Sequence, residues 1–265
     1  CGKARWLEII HDFMVFDAGI KKTCRHNQYF GVRAAQERVR SREGGILWHT
    51  QGSGKSLIMV WLAKWIREHV KDARVLILTD RTELDEQIEK VFTGVSESIH
   101  RTKSGADLVR VLNASEEWLI GSLIHKFGVS EEGDIDAFLA DIQGHLPKGF
   151  RARGEIFVFV DECHRTQSGK LHDAMKALLP GAMLIGFTGT PLLKSDKRRS
   201  IETFGPYIHT YKYDEAVRDG VVLDLRYEAR DIDQGITSPA KVDQWFELKT
   251  KGLTDVARAQ LKQRW

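Results

Sequence analysis

Residues Gly45–Leu57 join a short apolar run, a glycine-rich turn and the start of a helical pattern. The turn reads HTQGSGKS over residues 49–56, and Ile46, Leu47 and Trp48 precede it as a strand. Apolar residues follow at helical spacing, at Ile58, Trp61, Leu62, Trp65 and Ile66. A strand, a turn of this composition and a helix in that order predict a loop that binds the phosphates of a nucleotide.

The chemistry of a polyphosphate explains why these residue types are needed. Its charges require backbone N–H groups at close range, which glycines leave accessible. Lys55 is placed to reach the outer phosphates, the hydroxyl of Ser56 to bind Mg²⁺, and the N-terminal end of the helix to attract anions. The residues that we expect to contact the nucleotide here are Gln51, Gly52, Ser53, Gly54, Lys55 and Ser56. One departure is His49, which stands where the usual pattern starts with glycine.

Composition limits the class of protein without naming one. The 265 residues are 42% hydrophobic, which is ample for a packed core, and no apolar run approaches the roughly 20 residues that cross a bilayer. Three cysteines without paired spacing favour a reducing cytoplasm over a disulfide framework. The formal charge of +3 is too small to predict a nucleic-acid partner by itself.

Beyond the loop, apolar strand-like runs alternate with helical patterns. This alternation predicts an α/β fold, a doubly wound and mostly parallel sheet with helices on both faces. The predicted strands cover 75–79, 118–122, 156–160 and 183–187, and the predicted helices 84–92, 135–145 and 170–179. Weaker patterns predict strands at 98–102 and 225–230, a helix at 106–112, and loops at 130–133 and 194–199. At the start of the chain, one helical face is predicted to carry Trp6, Ile9, Ile10, Phe13 and Met14.

Two acids follow a buried strand, in the sequence Asp161-Glu162-Cys163-His164. Doubly wound sheets place their ligands at the carboxyl ends of strands. Asp161 is therefore predicted to hold Mg²⁺ opposite Ser56, and Glu162 to orient and deprotonate the water that attacks the γ-phosphate. The alternative is that Asp161 only caps a following helix.

A third strand runs into Thr188-Gly189-Thr190-Pro191, whose hydroxyls are placed to hydrogen-bond the acidic pair. In this order, HTQGSGKS, DECH and TGTP resemble motifs I, II and III of superfamily 2 helicase-like motors. The surrounding segments NQYFGVRAAQERV, VLILTDRTELDEQI and FGPYIHTYKYDEAVRDGVV narrow the resemblance to the motor region of the R subunit of type I restriction enzymes.

This resemblance implies a RecA-like first motor lobe that uses ATP and Mg²⁺ to translocate double-stranded DNA before cleavage. It also implies methyltransferase and specificity subunits as partners. Gln28 resembles the adenine-reading glutamine, Lys55, Asp161 and Glu162 the catalytic residues, and Ser56 and Asp161 the magnesium ligands. The remaining correspondences are His164, Thr188, Gly189 and Thr190 as coupling residues, and Arg81 and Lys126 as DNA contacts. The last two are nearly as typical of ordinary surface cations as of DNA contacts.

The resemblance divides the chain into a lead-in from a nuclease domain (residues 1–30), an ATPase lobe (31–230) and a connection to a second lobe (231–265). Neither the nuclease constellation nor the arginine finger of the second lobe is found in the sequence, so weak hydrolysis is expected from this chain alone. Cys163 replaces a commoner alanine, and Gly121-Ser122 replaces two threonines. The alternatives are a free-standing superfamily 2 DNA or RNA helicase or remodelling ATPase, and a nucleotide-gated assembly module.

Overall fold

A computed structural model describes residues 2–79, 82–114, 116–124, 134–163, 172, 175–190, 201, 203–228 and 238–264. The strands are β1 (Met14–Asp17), β2 (Ile20–Thr23), β3 (Gly45–His49), β4 (Ala73–Thr79), β5 (His100–Arg101), β6 (Leu119–Leu123), β7 (Glu155–Val160), β8 (Met183–Thr188) and β9 (Tyr207–Tyr211). The helices are α1 (Lys3–Asp12), α2 (His26–Ser41), α3 (Lys55–His69), α4 (Thr82–Gly94), α5 (Gly105–Asn113), α6 (Asp134–Gly144), α7 (Tyr213–Arg218), α8 (Pro239–Lys249) and α9 (Asp255–Arg264). The chain divides into two compact units, residues 1–223 and 224–265.

Seven strands of the described chain form one sheet in the order β5-β6-β4-β7-β8-β3-β9. Every neighbouring pair in this sheet is parallel. Parallel strands need helical crossovers, which cover both faces of the sheet and exclude water from it. The near-continuous burial of β4, β6 and β8 follows from that covering, and the predicted fold class is confirmed.

Alternate residues of each strand belong to two separate apolar cores. On one face, Val75, Ile77 and Phe157 pack with α2, α3 and α4. On the other face, Leu76 and Leu78 pack with α5 and α6. This period of two is the strand geometry, and it explains why the central strands read as unbroken apolar runs in the sequence.

The register of the sheet brings three strand ends together. Val160 pairs with Gly186 between β7 and β8, and Trp48 pairs with Thr188 between β8 and β3. The residues that follow β7, β8 and β3 therefore emerge side by side at the carboxyl edge of the sheet, where ligands of doubly wound folds bind.

The start of the chain differs from the prediction of one continuous helical face. Helix α1 ends at Asp12, and Met14 already belongs to the antiparallel hairpin of β1 and β2. Ala18 and Gly19 both have positive φ, which is the backbone of a two-residue hairpin turn. Phe13 is buried against the rings of Tyr29 and Trp61, at centroid distances of 4.9 and 6.1 Å, so tertiary packing ends the helix there.

The predicted strand over 225–230 is wrong for residues 225–228, which have no regular secondary structure. A strand needs a hydrogen-bonded neighbour, and Leu225 and Tyr227 are 81% and 94% exposed instead. In contrast, the sequence missed β9, which pairs in parallel with β3 at the edge of the sheet. Four of its five residues are only partly buried and two of those are polar, so it lacks the apolar run that marked the other strands.

Several predictions concern residues outside the described ranges. These are the loops at 130–133 and 194–199, residues 229–237, and most of the helix over 170–179, of which 175–178 are helical. Within the described chain, no helix is both long enough and apolar enough to cross a membrane.

Candidate functional site

The glycine-rich turn leaves β3 and enters α3 in a conformation that requires its glycines. Gly52 and Gly54 have φ of +81° and +86°, in the left-handed region that glycine adopts without strain. A Cβ on Gly54 would also overlap the side-chain nitrogen of Gln28. The turn is closed internally because the Ser53 hydroxyl donates to the Thr50 carbonyl at 2.6 Å. The predicted strand, turn and helix are therefore all present, with Lys55 as the first helical residue.

Gln28 lies buried beneath this turn at the start of α2. Its side-chain amide donates to the carbonyl oxygens of Ser53, at 3.3 Å, and Gly54, at 3.2 Å, while its own oxygen accepts from the Arg25 backbone N–H at 2.8 Å. These bonds tie the start of α2 to the glycine-rich turn. The role predicted for Gln28, reading the adenine base, remains a prediction.

The turn after β8 lies directly against the phosphate-loop lysine. A methyl group placed on Gly189 would lie 2.8 Å from Lys55 Nζ and 3.2 Å from the backbone nitrogen of Gln51. Thr188 is fully buried, and its hydroxyl accepts from the Thr190 N–H at 3.2 Å. The structure thus brings TGT and GSGKS into contact, although they are more than 130 residues apart in sequence.

The acidic pair occupies the turn after β7. The Asp161 N–H donates to the Leu78 carbonyl at 3.0 Å, which extends the ladder between β7 and β4, and the Asp161 carboxylate accepts from the Glu162 N–H at 3.0 Å. Glu162 has φ of +48°, an uncommon conformation for a non-glycine residue, which functional sites often hold under strain. Asp161 is nine-tenths buried beside the neighbouring strand β8.

Cys163 connects this acidic turn to β8. Its N–H donates to the Phe187 carbonyl at 3.0 Å, and a Cβ on Gly186 would come within 2.6 Å of its sulfur. Burial and the two preceding carboxylates raise the pKa of the Cys163 thiol well above its usual range, so the side chain is neutral. A small uncharged residue is all that this position accommodates.

The donor set of the site fits a magnesium-bound polyphosphate. A hydroxyl (Ser56) and a carboxylate (Asp161) are hard oxygen ligands of the kind that Mg²⁺ prefers. The glycine-rich turn opens a helix N-terminus, whose N–H groups attract phosphate, and Lys55 adds a full positive charge. These residue types are the ones that metal-assisted phosphoryl transfer needs from a protein.

Some predicted site residues are not placed by the structure. His164, Arg81 and Lys126 lie outside the described residues. Ser122, the departure near the second of the predicted DNA contacts, is buried in β6 and accepts from the Thr102 hydroxyl at 2.9 Å.

Sequence reasoning assigned no role to β9 and the segment after it. The Thr50 N–H donates to the Tyr211 carbonyl at 2.9 Å, and a Cβ on Gly52 would lie 3.3 Å from Val222. These residues form a lateral wall of the glycine-rich turn. Their sequence, FGPYIHTYKYDEAVRDGVV, was part of the resemblance, but its half-buried side chains carry no chemical signature of a nucleotide site.

The fold and this site define a helicase-like ATPase. The sequence model of the SWI2/SNF2 ATPase family matches residues 27–259, and the chain belongs to that family. Among solved structures, the type ISP restriction-modification enzyme LlaGI has a TM-score of 0.55 at 14% identity, over 91% of this chain and 24% of that one. The SWI2/SNF2 ATPase core of Sulfolobus solfataricus, solved with double-stranded DNA, has a TM-score of 0.52 at 16% identity, over 79% and 40%. At these identities the two structures support the fold.

The curated relatives narrow the class to endonuclease subunits of type I restriction enzymes. The putative MjaIXP subunit of Methanocaldococcus jannaschii is 32% identical over 89% of this chain and 23% of its own length. The HindI subunit of Haemophilus influenzae is 32% identical over 84% of this chain and 23% of its own length. The predicted resemblance to type I R subunits is confirmed. The chain spans about a quarter of the length of these relatives.

Proposed function

We propose that this chain is the first motor lobe of a type I restriction enzyme R subunit, which hydrolyses ATP to translocate double-stranded DNA before cleavage. The observation that carries the proposal is the contact of three strand ends, which places the glycine-rich turn, the acidic pair and the TGT turn at one edge of the sheet. Binding alone needs only the first of these. The acidic pair is the part that hydrolysis requires.

Each group has a separate task in this proposal. The loop N–H groups and Lys55 bind the β- and γ-phosphates, and Ser56 and Asp161 hold Mg²⁺, which neutralises charge that develops on the transferred phosphoryl group. Glu162 orients the attacking water and accepts its proton. Gly189 lies against Lys55 and Gln51 of the loop, and Thr188 and Thr190 flank it in the same turn. We assign these three residues and His164 to the transmission of the nucleotide state.

The proposal extends to the wider assembly by analogy with the relatives. We propose residues 1–30 as the lead-in from a nuclease domain, with Gln28 reading adenine, 31–230 as the lobe, and 231–265 as the connection to a second lobe. Arg81 and Lys126 are proposed DNA contacts. Methyltransferase and specificity subunits are the proposed partners, and the cytoplasm is the proposed location. Because an arginine finger is worth about 10³–10⁵ in rate, this chain alone should bind ATP with Mg²⁺ but hydrolyse it slowly.

Two substitutions separate a motor from a nucleotide-gated scaffold. In the full-length subunit, Lys55→Ala should abolish ATP binding, whereas Glu162→Gln should retain bound ATP and lose hydrolysis and DNA translocation. Lys64→Ala is the matched control on α3, since Lys64 pairs with Glu97 instead of facing the loop. Glu155→Gln is the control at the opposite end of β7. Full translocation by Glu162→Gln would refute the proposed mechanism.

The isolated chain supplies a second test. Its ATP affinity is measured by equilibrium dialysis with Mg²⁺, and its turnover with and without double-stranded DNA. Binding with turnover at least about 10³-fold below that of the full subunit is expected. DNA-stimulated turnover at the full rate would contradict the assignment of the arginine finger to another lobe.

A further inference from the structure

A pair of buried histidines lies at the entry to the phosphate loop. His49 is the last residue of β3 and is fully buried, and its Nε2 lies 2.8 Å from Nδ1 of His209 on β9. His49 occupies the position where phosphate loops usually begin with glycine, so its imidazole requires room that the ordinary loop does not provide.

Helix α2 provides that room at Gly31. A Cβ on Gly31 would lie 3.0 Å from Cε1 and 3.1 Å from Nε2 of His49, so the imidazole rests directly on the helix backbone. Asn27, one turn earlier, places its side-chain nitrogen 3.5 Å from His49 Nδ1. The imidazole is therefore held between α2 and β9.

A direction can be assigned to the hydrogen bonds of the pair from Asn27. With the Asn27 amide nitrogen taken as the donor, His49 Nδ1 accepts and the His49 proton is assigned to Nε2. His49 then donates to Nδ1 of His209. One proton is shared between the two rings, and a second proton on His209 Nδ1 would remove the acceptor.

Burial and the neighbouring cationic groups favour the neutral form of the pair. Burial, then the neighbouring His209 and Lys55 of α3, lower the pKa of His49 to about 3. Burial is also the main cause that lowers the pKa of His209, to which His26 of α2 adds, while Glu215 of α7 opposes it. From β9 itself, Tyr211 faces His49 at a ring distance of 5.8 Å, and its hydroxyl donates to Asp219.

The same two elements fasten the loop at both ends. At its start, the Thr50 N–H donates to the Tyr211 carbonyl of β9, next to the histidine pair. At its end, Gln28 of α2 donates to Ser53 and Gly54. A loop that is held in its binding conformation before the ligand arrives loses less entropy on binding.

We propose that His49 and His209 are a positioning pair, which holds residues 50–54 in the conformation that accepts a polyphosphate. We assign the pair a positioning role only, exerted through the Thr50 backbone next to it. The consequence for nucleotide affinity rests on the proposed function, whereas the effect on the loop does not.

The test uses two substitutions of His209 in the purified chain. His209→Asn keeps an acceptor at the position of Nδ1, and His209→Leu removes it at similar size. Amide hydrogen exchange of residues 50–56 without nucleotide should be about tenfold faster in His209→Leu and near wild type in His209→Asn. Affinity for a fluorescent ATP analogue with Mg²⁺, measured well below the melting temperature, should fall about tenfold in His209→Leu only. His11→Gln, an exposed histidine on α1, is the matched control.

The outcomes distinguish this proposal from the proposed function. Unchanged loop exchange in His209→Leu overturns the positioning pair, as does an equal loss in His209→Asn and His209→Leu. If the melting temperature falls while loop exchange below it is unchanged, the role is structural only and the proposal fails. Faster loop exchange in His209→Leu, together with absent ATP binding in the wild type, supports the positioning pair and counts against the ATPase.

Discussion

Arg74 is a buried arginine whose partners are all backbone carbonyls, which makes its removal a sharp test of how the sheet is held. It lies near the start of β4 with 4% of its surface exposed. Its guanidinium donates to Val111 at 2.7 Å, Leu112 at 3.0 Å, Glu117 at 2.8 Å and Arg153 at 3.1 Å. The first two carbonyls end α5, where the helix dipole favours a positive charge. We expect Arg74→Met, which keeps the volume and loses the donors, to be strongly destabilising.

The structure sets the magnitude of this loss. The Val111 carbonyl also accepts from Ala114 N–H and the Leu112 carbonyl from Arg153 N–H, so both keep one partner. For the Glu117 and Arg153 carbonyls, Arg74 is the donor found among the described residues. Both carbonyls are only partly buried, so losing the donor costs about 1–2 kcal/mol each, toward the lower end of the range for a buried acceptor. The free energy of unfolding should therefore fall by about 2–4 kcal/mol.

Urea unfolding followed by far-UV circular dichroism measures this change. The matched control is Arg110→Met on α5, because Arg110 is mostly exposed and pairs only with Asp107, as far as the described residues show. Its loss should stay below about 1 kcal/mol. The loss of unfolding free energy for Arg74→Lys should lie between these two values, because a single ammonium cannot reach all four carbonyls that surround the planar guanidinium. A loss below about 1 kcal/mol for Arg74→Met would refute the reasoning from orphaned carbonyls.

Three further predictions concern the site. Gly31→Ala should lower the free energy of unfolding by about 1–3 kcal/mol, because the added methyl group meets the buried His49 imidazole, although alanine favours helices. The control Gly144→Ala, whose methyl group meets nothing within 4 Å, should stay within about 1 kcal/mol of wild type. Equal effects of the two substitutions would contradict this prediction. Gly189→Ala should weaken ATP binding about tenfold, because the added methyl group crowds Lys55. Gly181→Ala, whose methyl group lies in open space, should leave the affinity unchanged, and nucleotide titrations measure both. Because the pKa of His49 is lowered in the folded protein, the unfolded chain binds more protons below pH 6.5, and the free energy of unfolding should fall by about 2 kcal/mol from pH 6.5 to 5. Denaturant melts of His49→Asn should lack this pH-dependent loss. Identical pH profiles for His49→Asn and the wild type would count against the prediction.

The parts of the fold that were predictable are those in which local sequence and final environment agree. The strands β4, β7 and β8 are buried on both faces, so their apolar runs are visible without any knowledge of their neighbours. Helix α3 follows a glycine-rich turn whose residue spacing predicts a phosphate loop that opens a helix. The position of the two acids at the carboxyl end of β7 was predictable in the same way, because the apolar run before them marks where the strand ends.

The errors occurred where packing partners decide. Phe13 fits a helical pattern, yet the space between Tyr29 and Trp61 draws it out of the helix. Residues 225–228 have strand-like alternation but no strand, since pairing depends on a neighbour and not on propensity. Strand β9 is the opposite case: its sequence is only weakly apolar, but it forms a strand because β3 supplies a hydrogen-bonding partner.

By itself, the sequence determined that the chain forms a parallel sheet, and it predicted which residues bind phosphate, hold magnesium and activate water. These properties depend on residue types at short spacing, which the chain carries whatever its neighbours are. Only the tertiary structure decided which distant segments meet. The contact of Gly189 with Lys55, the wall that β9 forms beside the loop, and the pairing of His49 with His209 all depend on strand order. Strand order results from the packing of whole layers, which no local pattern encodes.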